Sequence, residues 1–385
     1  MPTAANNLNV MDKPDPARWQ GKRVLMMAGG TGGHVFPALA VAGAARDLGA
    51  EVHWLGNGKG FEGQRVPAAG FVLHDIAVRG LRGKGLLGWL QAPFMLARAF
   101  WRANAVLRRL RPDVVIGMGG FASGPGGLVA HWRRLPLLVH EQNAVAGLTN
   151  RRLAKIADRV LLADGRAAEK MGLAAGRFVV TGNPVRPEIA AMPAPAQRFL
   201  GHRGPIRLLV LGGSQGAKAL NALLPQALSL LPAESRPAVT HQVGERWLDE
   251  ARAAYAAAGV EAEVVPFIVD MAAAYGAADW LIARSGALTV AEVATAGLAA
   301  VFVPFPFAVD DHQTANAQAL VDAGAAVVVQ QRDLSAESLA GLIAARQDRG
   351  ALLMQADRAR SRSHAKALGR ILAEVETLLA DKTTR

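Results

Sequence analysis

A chain of 385 residues is long enough for two domains, each with its own core. It contains no cysteine, which excludes disulfides and cysteine-ligated metals and fits a reducing compartment. The formal net charge of +12 points to an anionic partner: nucleic acid, an anionic membrane or a phosphorylated ligand.

The first twenty residues carry Asn, Pro and Asp with no apolar h-region, and read as a loose tail, not a signal peptide. No stretch reaches the roughly 20 uninterrupted apolar residues of a spanning helix. The run RVLMMA at 23–28 predicts a buried strand, being too short for a helix. GGTGGH follows at 29–34, and then Val35, Leu39 and Ala42 recur at helical spacing, with Pro37 suited to a helix's first turn. Strand, glycine loop and helix together can hold an anion against backbone N–H groups. The alternative is a tight turn that binds nothing. A dinucleotide fingerprint is disfavoured, because its sixth position is Val35 and the next strand, EVHWL at 51–55, runs into GNGK instead of ending on an acid.

From Ile76 to Pro112 there is no acidic residue, while Arg79, Arg82, Lys84, Arg98, Arg102, Arg108, Arg109 and Arg111 all fall there. Leu86, Leu87, Trp89, Leu90, Phe94, Met95, Phe100 and Trp101 are interleaved with them. Basic residues mixed with Leu and Trp suit a surface lying on anionic lipids. The competing reading is a core helix with a basic exposed face. No nucleic-acid module accompanies the charge, so nucleic acid is not expected as a partner.

Short apolar runs at 114–116 and 137–139 alternate with helical stretches. At 206–211 a second strand, IRLLVL, leads into GGSQG and another helical run; it lacks the spacing of a Walker loop. Further runs at 280–282 and 300–303 continue the alternation. Two βα series, each opening on a glycine loop, predict two parallel-sheet, Rossmann-like domains, joined through the Pro-rich 182–195 segment. Ligands of such sheets bind beyond the strands' carboxyl ends.

GGTGGHVFPALA, LRGKG at 81–85, PDVVIGMGGFASGPGG at 112–127, HEQNAVAGLTN at 140–150, TGNPVR at 181–186, GGSQGA at 212–217, ARSGALTVAE at 283–292 and DDHQTANA at 310–317 occur in this order. Together they make the chain resemble MurG, the bacterial transferase family that adds N-acetylglucosamine to lipid I to give lipid II. The resemblance spans about residues 23 to 330. It implies an α/β GT-B fold, two Rossmann-like domains facing across a cleft, and inversion at the transferred sugar. Residues 21–186 would take the acceptor and face the membrane, residues 187–359 would take UDP-N-acetylglucosamine, and a C-terminal helix over about 360–385 can pack back onto the first domain. The implied location is the cytoplasmic face of the inner membrane, bound peripherally to anionic lipids, with other cell-wall synthesis proteins as candidate partners.

Histidine exchanges protons near neutrality, and by resemblance His34 is the base for the acceptor hydroxyl; bracing the loop is the alternative. Thr31, Gly32 and Gly33 would meet the donor, while Gly30, Gly119 and Gly120 would lie against the acceptor diphosphate. Arg82, Lys84, Leu86, Leu87, Trp89 and Leu90 would meet the membrane. Ser214 and Arg186 would hold the donor diphosphate, an arginine suiting a leaving anion. Ser285 reads as a helix N-cap. After it, Ala287, Leu288, Thr289, Val290, Ala291 and Glu292 form the donor-binding segment, Glu292 taking the ribose diol. Ile268 would read uracil through its backbone. Asn143 and Gln313 would read the sugar hydroxyls, with His312 the rival to Gln313. Adjacent carboxylates on an extended chain point apart, so Asp310 and Asp311 are not expected to bind metal; no cofactor is expected. The competing functions are another GT-B enzyme acting on a membrane lipid, a UDP-N-acetylglucosamine 2-epimerase and a non-catalytic basic membrane scaffold.

Overall fold

The computed structural model describes residues 14–77, 86–213 and 216–383, with backbone only at 86–92, 309 and 381–383. Arg82, Lys84 and Ser214 therefore lie outside the described residues, as do the side chains of Leu86, Leu87, Trp89 and Leu90. The chain divides into two compact units: Met1–Pro184 with Lys366–Arg385, and Val185–Ala365.

In the first unit the strands are β1 (Arg23–Met27), β2 (Glu51–Gly56), β3 (Val72–Asp75), β4 (Val114–Gly117), β5 (Leu137–Glu141), β6 (Arg159–Leu162) and β7 (Val179–Val180). They form one sheet in the order β3-β2-β1-β4-β5-β6-β7, every pair parallel. In the second unit β8 (Arg207–Leu211), β9 (Ala238–Gln242), β10 (Glu263–Val265), β11 (Trp280–Ala283), β12 (Ala299–Phe302) and β13 (Ala326–Val328) form a second parallel sheet, ordered β10-β9-β8-β11-β12-β13. Both follow the doubly wound order 3-2-1-4-5-6, the first with one strand added.

Helices cover both faces of such sheets, so the strands read as continuous apolar runs. In β1, Val24 and Met26 enter one core layer, and Leu25 and Met27 the other. In β8, Leu208 and Val210 are separated from Leu209 and Leu211 in the same way. The order of each sheet reverses beside its central strand, β1 or β8, which is where open α/β sheets place their ligands. Both glycine loops leave from those strands.

Three local expectations differ from the structure. Residues 16–19, counted with the loose tail, form a short helix; Trp19 is fully buried and its Nε1 donates to Glu376 Oε1 at 2.7 Å. Pro37 sits in the second turn of its helix, not the first, because Gly32–Asp47 starts within the glycine loop with Thr31 at its N-cap. Ser285 is not a cap: the helix Ala287–Ala296 starts after Gly286, and the Ser285 hydroxyl is buried without a hydrogen-bond partner. The C-terminal helix Ala367–Thr383 puts Ile371, Leu372, Val375, Leu378 and Leu379 into the core layer of the first unit that also holds Trp19.

Candidate active site

The glycine loop after β1 runs straight into its helix. The His34 and Val35 N–H groups both bond Thr31 O, and those of Gly32 and Gly33 precede these first intrahelical donors, as helix-end N–H groups do. Side chains are absent from the loop's start because Glu62 fills that space. Glu62 is 3% exposed, and its carboxylate accepts the N–H of Gly30 and of Asn57, each at 3.0 Å. A Cβ on Gly29 would lie 2.4 Å from Glu62 Oε1.

The loop after β4 closes on the first. Gly119 and Gly120 both have positive φ. A Cβ on Gly119 would lie 2.6 Å from His34 Nδ1, and one on Gly120 would lie 2.3 Å from Gly29 O. The Ser123 hydroxyl fastens the junction through Met27 O and Gly119 O. The structure thus brings Gly30, Thr31, Gly32, Gly33, His34, Gly119 and Gly120 to the switch point of the first sheet.

Next to β5, a chain of polar groups reaches His34. Its Nδ1 lies 2.9 Å from Gln142 Oε1. Gln142 Nε2 lies 3.1 Å from His140 Nδ1 and 3.2 Å from His140 O, and His140 Nε2 lies 3.0 Å from Gly182 O. His140 is fully buried, and that burial pushes its pKa down to about 4. Asn143 sits in the same stretch; its N–H and Nδ2 both bond Glu141 Oε1. Glu141 also takes Gly147 N–H and Asn150 Nδ2, so this buried carboxylate organises the loop from 141 to 150.

In the second unit, Arg186 and Glu292, expected to serve diphosphate and ribose separately, are joined to each other. Arg186 Nε and Nη2 reach the two Glu292 oxygens at 2.9 and 3.1 Å, and the Tyr275 hydroxyl donates to Oε2 at 3.2 Å. The Glu292 side chain is 4% exposed, while that of Arg186 is 44% exposed. Burial pushes the Glu292 carboxyl up against the pull of the guanidinium, and Glu292 in turn raises Arg186 despite its own desolvation. Ala287 and Val290 face inward on the same helix, with Leu288, Thr289 and Ala291 half-buried.

Ile268 N–H donates to Gln242 Oε1 at 3.2 Å, and Gln242 Nε2 donates to Gly213 O in the second glycine loop at 3.0 Å. This amide ties the expected base-reading position to the expected phosphate-binding loop. Gln313 and His312 both lie in the first turn of the helix His312–Asp322, and Gln313 Oε1 accepts Phe305 N–H at 2.9 Å. Asp310 and Asp311 are not extended as expected: both adopt left-handed backbone, φ 53° and 47°, and Asp311 Oδ1 accepts the Thr314 hydroxyl.

Family models match over nearly the same two spans: the glycosyltransferase family 28 N-terminal domain at residues 24–162 and its C-terminal domain at 207–370. A protein of Dichelobacter nodosus (strain VCS1703A) is 62% identical over 93% of this chain and 99% of its own length. It is named UDP-N-acetylglucosamine--N-acetylmuramyl-(pentapeptide) pyrophosphoryl-undecaprenol N-acetylglucosamine transferase. The chain belongs to the MurG group of glycosyltransferase family 28. A crystal structure of Acinetobacter baumannii MurG matches with a TM-score of 0.78 and 40% identity, covering 92% of this chain and 99% of that one. A kitacinnamycin glycotransferase at 15% identity and TM-score 0.68 shares the fold.

Glu62, Gln142, His140 and Tyr275 were not singled out in the sequence. One signal was present for two of them: His140 and Gln142 are two residues apart where β5 ends, Gln142 lying just beyond it, and alternate residues of extended chain share a face. Glu62 and Tyr275 carry no such signal, because only tertiary packing brings them to their partners.

Proposed function

We propose that this protein is an inverting transferase that moves N-acetylglucosamine from UDP-N-acetylglucosamine to the muramyl 4-hydroxyl of undecaprenyl-pyrophosphoryl-MurNAc-pentapeptide, making lipid II from lipid I. The observation that carries this reading is the 62% identity, over 93% of the chain, to a relative named for that transfer. The site chemistry supports it. His34 takes the proton of the acceptor hydroxyl as its oxygen attacks the anomeric carbon. The helix-end N–H groups of Gly32 and Gly33 face an anion as such termini do. Arg186 brings a permanent positive charge to the leaving diphosphate. Glu292 takes the ribose diol by exchanging hydrogen bonds with Arg186, which is exposed enough to turn toward phosphate. No metal has a part in this reading.

The lipid acceptor stays in its bilayer, so the enzyme works on the inner face of the plasma membrane. No helix of the described residues is long and apolar enough to cross a membrane. The helix Leu86–Leu110 buries Ala99, Ala103 and Leu107 and leaves Phe94 81% and Trp101 64% exposed, with Arg98 beside them. That outer face, continued by the exposed Trp132, is the proposed membrane contact.

The test is UDP release and product formation from UDP-N-acetylglucosamine and a short-chain lipid I analogue, with and without EDTA. Turnover that survives the chelator is expected. Its abolition, with rescue by magnesium, would assign the metal role denied here to Asp310 and Asp311; absence of product would refute the transfer itself.

A further inference from the structure

The hydrogen bonds around His34 specify which of its two nitrogens can accept a proton. The assignment starts at Gly182 O, which only accepts, so the His140 Nε2 facing it at 3.0 Å carries a hydrogen. His140 is fully buried and neutral, and its Nδ1 therefore presents a lone pair. Gln142 places one end of its amide 3.1 Å from that lone pair and 3.2 Å from His140 O. Two acceptors at one end require the NH₂ group there, which turns the amide oxygen toward His34. That oxygen lies 2.9 Å from His34 Nδ1 and can only accept. His34 Nδ1 must donate, and the ring's lone pair is on Nε2.

The surroundings make the arrangement rigid. Gln142 is 2% exposed, so its amide cannot exchange these partners for water without leaving polar groups unpaired. Gly119 flanks the ring so closely that even a methyl group there would collide with Nδ1, which holds the imidazole in one plane. A free neutral imidazole side chain in water favours the opposite tautomer, with hydrogen on Nε2. The protein has reversed that preference.

We propose that Gln142, oriented by His140, is a positioning residue that locks His34 as the Nδ1–H tautomer and so keeps Nε2 open for the acceptor proton. This rests on the base role given to His34 above. In the step it serves, the hydroxyl O–H bond breaks and its proton joins Nε2. The oxygen's electron pair forms the bond to the anomeric carbon, and the bond from that carbon to the diphosphate breaks with its electrons leaving on UDP. The imidazolium then loses its proton to water. Gln142 Oε1 accepts from Nδ1–H throughout, so it needs no rearrangement when the ring becomes charged. The same logic governs histidines whose second nitrogen is fixed by a neighbouring acceptor.

The test uses the full chain labelled with ¹⁵N-histidine, and reads the His34 tautomer by two-bond proton–nitrogen correlation at a pH where the ring is neutral. His34→Gln identifies the resonance. In the parent, Nδ1–H is expected. Gln142→Met keeps the volume and loses the amide; it should move His34 to the Nε2–H form and lower kcat roughly 10- to 100-fold, part of what general-base catalysis contributes, with the donor KM nearly unchanged. Gln142→Glu still offers an acceptor to Nδ1, so it should keep the parent tautomer and turn over faster than Gln142→Met. An unchanged tautomer in Gln142→Met would overturn the proposal. A switched tautomer with unchanged kcat would instead overturn the base role of His34, and with it the use proposed for the lock. The dispersion of the remaining histidine resonances of the first unit, His53, His74, His131 and His140, reports whether each variant is folded.

Discussion

The two units share a strand order and place a glycine loop at the same point of it, yet different chemistry stands behind the loops. Behind the first are ionisable groups: Glu62 under Gly30, and the His34–Gln142–His140 chain. Behind the second are neutral amides: Gln242 on Gly213 O and Asn221 on Val243 O. The Arg186–Glu292 ion pair of the second unit stands on other segments. One strand order thus carries two different sets of side chains at the same point. This is why function has to be argued from the site and not from the fold.

The strongest way to break this contrast is His34→Ala. Turnover should fall roughly 10²- to 10⁴-fold, the range of a lost general base, while UDP affinity measured by calorimetry stays unchanged. Comparable loss of both would mean that the first loop also holds the nucleotide.

Next in size are the two truncations of the Arg186–Glu292 pair. Arg186→Ala leaves the buried Glu292 carboxyl without its guanidinium while the Tyr275 hydroxyl still donates to it; the roughly 3–5 kcal/mol of a broken, fully buried pair is an upper bound, because Arg186 is half-exposed. Glu292→Ala leaves a guanidinium that already reaches water and should cost clearly less. Urea unfolding of the two variants checks the inequality. Glu292→Ala should also raise the donor KM with little change in acceptor use, as loss of uniform binding does. Equal UDP affinity in variant and parent would remove Glu292 from the ribose.

A smaller effect separates the units by pH. His140 in the first and His241 in the second are buried neutral, with pKa values lowered by burial to about 4 and about 3. Both take up protons in the unfolded chain below about 6.5 but not in the fold. Their contribution to stability is therefore full above pH 6.5 and declines as pH falls from there to about 4 for His140 and about 3 for His241, by about 1.4 kcal/mol per pH unit for each histidine. His140→Gln should flatten that slope in the first unit only. A slope unchanged in thermal melts across this window would show that His140 is not neutral in the fold.

The smallest effect is expected at the membrane contact proposed for the first unit. Basic residues near an anionic surface are worth about 1 kcal/mol each. Arg82→Glu with Lys84→Glu should thus weaken flotation with phosphatidylglycerol liposomes roughly tenfold or more, and added salt should act in the same direction. Trp101→Ala tests the apolar contribution. Equal flotation of parent and variants would make this an ordinary solvated surface.

The elements were legible where local pattern alone decides them. The runs at 23–28, 114–116, 206–211 and 280–282 each supply a strand, the first and third overrunning it by one residue, because a sheet covered on both faces needs apolar residues in succession. The glycine loops and His34 were legible too. Less so was the reason for the glycines: Gly29 makes room for Glu62 and Gly119 for the His34 ring, and both are neighbours only in three dimensions. Caps failed for a similar reason. Ser285 has the right side chain one residue too early, and the helix starts where Gly286 lets it. The partnership of Arg186 with Glu292 spans 106 residues, a distance at which one sequence carries no pairing signal.

The helix Ala367–Thr383 has a consequence for biosynthesis. Its Ile371, Leu372, Val375, Leu378 and Leu379 complete a core layer begun by Trp19, Val24 and Val41, each such side chain contributing roughly 1.5–3 kcal/mol when buried. A ribosome makes the second unit in full before it delivers this last wall of the first. The nascent first unit must then wait, with an apolar flank unsealed, through the translation of about 180 further residues at roughly 5–20 residues per second. For those roughly ten to forty seconds the unsealed flank leaves the first unit open to aggregation.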